Sequence, residues 1–164
     1  RTTPALTTLA SFVTGLKDQG VNAAAVDAVL AHYSIGPITS EWGDGDADLR
    51  AMFADVDVPG TVPSVLLNSN YFWNQQPQNR YFVFTAPGAS VTVTATSSQD
   101  VDLYLYASGQ LLDWDEAPYD VSPFALVQHA TVPGQVYVIV LTGWGFSLPP
   151  PGTYAATVTF ESSP

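Results

Sequence analysis

Fifteen acidic side chains stand against four basic ones in this 164-residue chain, and no Lys or Arg follows Arg80. Asp100, Asp102, Asp113, Asp115, Glu116 and Asp120 therefore crowd one stretch without a nearby counter-charge. Carboxylates brought together repel each other unless a cation sits among them. Hard oxygen donors of this kind favour Ca2+. The same acidity also suits a solvated surface, as a solubility charge or an adaptation to a salt-rich habitat, and both readings stay open. Asp102 could equally hydrogen-bond a neighbouring turn.

A weaker set lies upstream. Asp44, Asp46, Asp48 and Asp55 occupy positions 1, 3, 5 and 12 of an EF-hand-like or dockerin-like loop. Position 6 of that loop needs Gly for its sharp turn, and here it is Leu49. A plain acidic turn with one Asp capping a helix fits these residues better.

Hydrolytic chemistry finds little support. A glycosidase needs two carboxyls facing across a cleft; Asp113 and Glu116 could be cast so, but any acidic loop could. A Ser-His-Asp relay would have to use His32 or His129, and neither has a nucleophile motif beside it. HExxH and GxSxG are both absent. The chain has no cysteine, which excludes disulfides, thiolate catalysis and Cys-based zinc sites. Aromatic residues are the remaining candidates for contact. Trp114 lies among the acids, and Trp144 and Phe146 lie in a Gly-flanked segment. Aromatic side chains on loops offer large contact area at low entropy cost. Tyr71-Phe72-Trp73 fit packing better than binding.

Composition sets the frame for these groups. Apolar residues make up 46%, enough to bury a core, while the charged share of 12% is about half the usual one. The surface must be built largely from Thr, Ser, Asn, Gln and Gly. A net charge of −11 disfavours nucleic acid and anionic lipid. No stretch approaches the roughly 20 apolar residues of a membrane span. A start at Arg1 suits a mature chain trimmed from a precursor, or an excised piece.

Two regions must position the candidate residues. Residues 1–67 read as a helical hairpin, a short helix and a connector. Thr3-Pro4 starts the first helix, with Leu6, Leu9, Val13 and Leu16 on one stripe and Gly20 as its stop. Asn22 caps the second, with Val21 and Val26 as a hydrophobic staple and Val26, Val29, Leu30 and Tyr33 as its stripe. A third helix is expected from about Asp46 to Ala54, and Asp57–Pro63 as a connector. From residue 68 the period changes to two. Residues 81–84, 91–95, 101–106, 137–141 and 154–160 read as strands separated by Pro-Gly and Ser-Gly turns. The expectation is a mainly β fold, an antiparallel sandwich or jelly roll over 68–164, with the apolar helical stripes docked on it.

The order of these strands resembles the bacterial pre-peptidase C-terminal domain family. Arg80-Tyr81-Phe82-Val83-Phe84-Thr85-Ala86-Pro87-Gly88 is similar to its opening strand and turn. Asp100-Val101-Asp102-Leu103-Tyr104-Leu105-Tyr106, followed by Ser108-Gly109, resembles its most specific element. Residues 91–96, 133–140 and 151–158 resemble its second, penultimate and closing strands. The likeness spans about 80–160 and leaves the N-terminal third unassigned. It implies a secreted β-sandwich without a catalytic centre, of a kind found beside peptidases, with calcium used by related collagen-binding modules.

Together these readings predict a non-catalytic, calcium-assisted binding or tethering module of a secreted protein, acting on an extracellular polymer, a protein surface or other copies of itself. The alternative is a structural subunit of an extracellular filament or sheath. A secreted hydrolase is the weakest reading.

Overall fold

The computed structural model describes residues 9–33, 52–68, 79–118, 122, 124–143 and 153–164. Two helices open it, α1 (Leu9–Asp18) and α2 (Ala23–Tyr33). Gly20 ends α1 at φ +78°, a conformation open to glycine without steric cost. Its N–H bonds Lys17 O and the Val21 N–H bonds Leu16 O, both at 3.0 Å. This pair of bonds is the Schellman closure, which satisfies carbonyls the helix end leaves without partners. Asn22 then caps α2, its Oδ1 accepting from Ala24 N at 2.8 Å. The start expected at Thr3-Pro4 and the stripe residue Leu6 lie outside the described residues, as do the side chains of Leu9 and Tyr33.

Among the described residues nine strands follow: β1 (Phe53–Asp55), β2 (Gly60–Asn68), β3 (Asn79–Thr85), β4 (Ser90–Ser97), β5 (Val101–Ala107), β6 (Gln110–Asp115), β7 (Phe124–Ala130), β8 (Val136–Gly143) and β9 (Thr153–Ser163). They form a β-sandwich. One sheet has the order β1-β3-β8-β5-β6 and the other β2-β9-β4-β7. Between them lies a core that includes Phe82, Phe84, Leu103, Leu105, Ile139, Leu141, Val158 and Phe160. Alternation fixes which residues enter it. In β4, Val91, Val93 and Ala95 point in, and Thr92, Thr94 and Thr96 point out.

A second core covers the outer face of the five-stranded sheet. Leu16 from α1 and Ala25, Val26, Ala28 and Val29 from α2 pack on Tyr81, Val83, Tyr104, Tyr106, Val138 and Val140. Strands β5 and β8 are thus covered on both faces, which is why every residue of β5 is buried. The docked hairpin agrees with the sequence expectation; the identity of its buried face needs one correction. Leu30, placed on the stripe, is 44% exposed. Val26 and Val29 of the expected stripe are buried, and Ala25, Ala28 and His32 join them in place of Leu30.

The boundary expected at residue 68 also moves. Phe53 and Ala54, assigned to the end of a third helix, form β1 together with Asp55, and β1 pairs in parallel with β3 (Phe53↔Tyr81). The rest of that helix, from Asp46 to Ala51, lies outside the described residues. Here a sheet edge supplies backbone partners, and Phe53 stacks on Tyr81 with ring centroids 4.8 Å apart; such tertiary gains override local propensity. The connector Asp57–Pro63 likewise runs into β2, an edge strand antiparallel to β9. Pro63 is tolerated because an edge strand can lack a ladder donor and because the register shifts between Val62 and Val65. The sandwich therefore starts near residue 52. Among the described residues its strand pairs are antiparallel except for β1–β3.

The two-core arrangement makes the hairpin sensitive to charge. Ala28 is 0% exposed, so Ala28→Asp places a carboxylate in an apolar contact. We expect a loss of at least about 3 kcal/mol in urea unfolding and selective protease cleavage in residues 9–33. A variant with wild-type stability would refute the docked arrangement.

Candidate functional site

The turn that builds the acidic end is legible in its dihedral angles. Ser108 and Gly109, at φ +50° and +74°, form a two-residue connection between β5 and β6. Positive φ at both positions matches the type I′ hairpin, whose twist suits the flanking strands. The hairpin carries Asp113, Trp114 and Asp115 on a strand, not on the loop the sequence suggested, with Trp114 opposite Tyr104 and Asp115 opposite Leu103. Asp has low strand preference, but pairing with β5 outweighs it.

Each candidate carboxylate then has a distinct place. Asp100 precedes β5 and is half-buried; Asp102 is 5% exposed on the outer face of β5. Asp113 Oδ1 accepts from Trp114 N at 2.8 Å. Asp115 holds two backbone donors, Ala117 N at 3.0 Å through Oδ1 and Leu126 N at 2.8 Å through Oδ2. The second bond ties the edge of one sheet to the edge strand β7 of the other, and it covers a donor that could otherwise recruit another strand. Glu116 Oε2 accepts from the Tyr104 hydroxyl at 2.7 Å. Burial, then that bond, then the negative charge of Asp102 push the Tyr104 phenol well above its ordinary range. Among the described residues no three His, Cys, Asp or Glu side chains gather as a metal-holding group. Asp120, Asp44, Asp46 and Asp48 lie outside the described residues. Asp55 is exposed on β1, at the opposite edge of the sheet from β6.

Trp114 is 52% exposed, the largest exposed aromatic among the described residues. It stands on an edge strand between Asp113 and Asp115. Trp144 and Phe146, the other candidate contact residues, lie outside the described residues, as does Tyr71-Phe72-Trp73.

The sequence reading missed a polar row on the outer face of the same sheet. Asn79, Thr142 and Asp102 stand side by side across β3, β8 and β5, and all three are buried. The Thr142 hydroxyl donates to Asn79 Oδ1 at 2.7 Å. His32 lies over the row, its Nε2 3.4 Å from Thr142 Oγ1 and its Nδ1 2.7 Å from the Tyr106 hydroxyl. With the Thr142 proton directed at Asn79, His32 donates from Nε2 and accepts at Nδ1 from Tyr106. That pattern requires the neutral imidazole, and burial lowers the His32 pKa to about 4. The ring also meets Tyr104 edge-on, with centroids 4.6 Å apart. A side chain so enclosed cannot reach a substrate, so His32 is a structural group that anchors α2. His129 is equally local, with Nδ1 2.7 Å from Ala130 O. Polar residues inside otherwise apolar strands were the available signal for the row: Asn79 opens β3 and Thr142 follows Tyr137–Leu141.

No family model matches the chain, and no curated protein sequence does. Several solved structures are similar to part of it. The pre-peptidase C-terminal domain of collagenase from Bacillus anthracis is 9% identical at a TM-score of 0.49, covering 66% of this chain and 94% of that one. PliG from Aeromonas hydrophila, a periplasmic inhibitor of g-type lysozyme, is 8% identical at 0.46, covering 66% and 94%. CorA of Methylomicrobium album BG8, a surface-associated copper-binding protein, is 9% identical at 0.43, covering 68% and 98%. At these identities the matches carry no residue roles to this chain, and the site stands on its own geometry.

The buried histidine gives a pH dependence of defined sign. Its folded pKa, about 4, lies below the ordinary 6.5, so the unfolded chain binds a proton first. Stability is complete above pH 6.5 and falls as pH drops from 6.5 towards 4, by about 3 kcal/mol. Urea unfolding of the wild type and of His32→Asn at pH 7 and pH 4.5 should show a steeper acid loss in the wild type. Equal losses would remove His32 from the account.

Proposed function

We propose that this chain is a non-catalytic extracellular module that binds or tethers, and that its contact surface is the β6 edge centred on Trp114. The observation that carries this reading is the half-exposed indole on a strand held at one end of a double-covered sheet. Surrounding carboxylates are engaged in structural hydrogen bonds, so the edge offers a rigid aromatic plane with a negative rim. Such a surface suits a neutral or cationic partner such as an extracellular polymer or protein surface. Among the described residues no helix is long and apolar enough to cross a membrane.

A direct test is co-sedimentation with insoluble collagen, cellulose and chitin. Retention on one of them should fall at least tenfold in Trp114→Ala, with the melting temperature unchanged. No retention on any polymer, or retention that survives the substitution, would defeat the reading.

Calcium is proposed as a stabiliser, with Asp100, Asp102, Asp113, Asp115, Glu116 and Asp120 as the candidate ligands. Uncompensated charge is the support for it: no Lys or Arg lies beyond Arg80. An ion bound only by the folded state adds about 2.7 kcal/mol when it is a hundredfold above its dissociation constant. Chelation at moderate salt should therefore lower the melting temperature, and Asp102→Asn with Glu116→Gln should abolish that response. Melting curves that coincide with calcium and with chelator would end the proposal.

A second reading, a subunit of an extracellular filament or sheath, is favoured by the outer face of the four-stranded sheet. Thr61, Thr159 and Thr94 align there with Leu126, and Thr157 and Thr96 with Phe124. Phe124 and Leu126 are 44% and 42% exposed. Negative-stain imaging separates the two, since a subunit polymerises and a module stays monomeric.

A further inference from the structure

The two sheets part along the edge formed by β1 and β2, opposite to the edge that carries Trp114. A cleft of about 260 Å³ opens there. Its floor is apolar, with Met52 and Phe82 buried at 5% and 3% exposure. Val62, Pro63 and Leu66 line the β2 side, and the register shift of β2 falls on this wall. One charged side chain enters it, Arg80. From residue 51 onward Arg80 is the only Lys or Arg in the sequence. Its Nε donates to Leu66 O at 2.9 Å, so a residue of one sheet is fixed to the backbone of the other at the cleft.

A guanidinium in such surroundings is unusual chemistry for a chain of net charge −11. Arginine presents five donors in a planar fork that matches a carboxylate. The Nε bond to Leu66 fixes the plane of that fork before any ligand arrives. Half-burial lowers the Arg80 pKa, the mark of a cation partly withdrawn from water, and such a cation gains more from an anion than an exposed one does. Arg80 has further interactions of its own, which an entering carboxylate would join or replace. Ser64 is the other polar side chain of the lining, the remaining side chains offer hydrocarbon, and the volume lies below the usual range of drug-sized pockets. We propose that the β1–β2 cleft is a binding site for a small aliphatic monocarboxylate, with the carboxylate on Arg80 and the chain against Met52 and Phe82. This site is separate from the Trp114 edge and does not depend on the function proposed for that edge.

Hexanoate is a suitable probe because it is too short to act as a detergent at millimolar concentration. Titration into the full chain, followed by two-dimensional amide NMR, should give saturable shifts in residues 52–54, 62–66 and 80–82. Hexanol, which keeps the chain and lacks the charge, should bind at least tenfold more weakly. Arg80→Gln should weaken hexanoate at least tenfold, and Val62→Trp, which fills the cleft and keeps the guanidinium, should do the same. If Arg80→Gln fails to fold, the hexanol comparison and Val62→Trp still decide. The proposal is overturned if hexanol matches hexanoate, if folded Arg80→Gln or Val62→Trp binds as the wild type does, or if millimolar hexanoate produces no saturable shifts in the cleft.

Discussion

Tyr81, Tyr104, Tyr106, Val138 and Val140 make the outer face of the five-stranded sheet apolar, and an ordinary sandwich would leave that face in water. Burying a large apolar side chain contributes roughly 1.5–3 kcal/mol, so leaving five of them exposed would forfeit much of the margin by which a small domain is stable. The helical hairpin is the answer to that constraint. It turns a two-layer sandwich into three layers, and it explains why β5 and β8 are buried on both faces while the threonine face of the other sheet stays open.

Covering a sheet with a helix creates a second problem at the end of the contact. Asn79, Thr142 and Asp102 lie in the covered zone and need polar partners, because an unsatisfied buried group costs about 1–3 kcal/mol. His32, in the last turn of α2, supplies part of the solution by linking Thr142 to Tyr106. The hairpin is thus positioned by hydrogen bonds as well as by burial. Apolar packing is non-directional; a chain of side-chain hydrogen bonds fixes how far along the sheet the helix sits. The same row links the hairpin to the acidic side, since the ring of Tyr104 meets His32 and its hydroxyl meets Glu116.

The two ends of the sandwich differ in chemistry as a result. At the β6–β7 edge the sheets are tied through Asp115 and the surface is acidic and aromatic. At the β1–β2 edge they are tied through Arg80 and the opening is apolar. Both ties run from a charged side chain to a backbone group on the other sheet, which closes edges that would otherwise invite strand addition.

The sequence by itself determined the strands β3, β4, β5, β8 and β9, the Ser108-Gly109 turn, and the Gly20 and Asn22 boundaries of the helices. Each of these is encoded locally, by a period of two, by a residue that tolerates positive φ, or by a side chain that reaches its own backbone. It also placed Asp102, Tyr104 and Tyr106 on the face opposite to Val101, Leu103 and Leu105. What lies over that face is not a local property. Strand β1 exists because β3 offers an edge, β6 because β5 offers a partner for two aspartates, and β2 because Pro63 falls where no ladder donor is required. Ala25 and Ala28, and not Leu30, lie on the buried side of α2. The polar row and the Arg80 cleft each join residues far apart in the chain, from 32 to 142 and from 52 to 82. Only the tertiary structure could decide them, because periodicity tells a residue which way to point and never what it will meet.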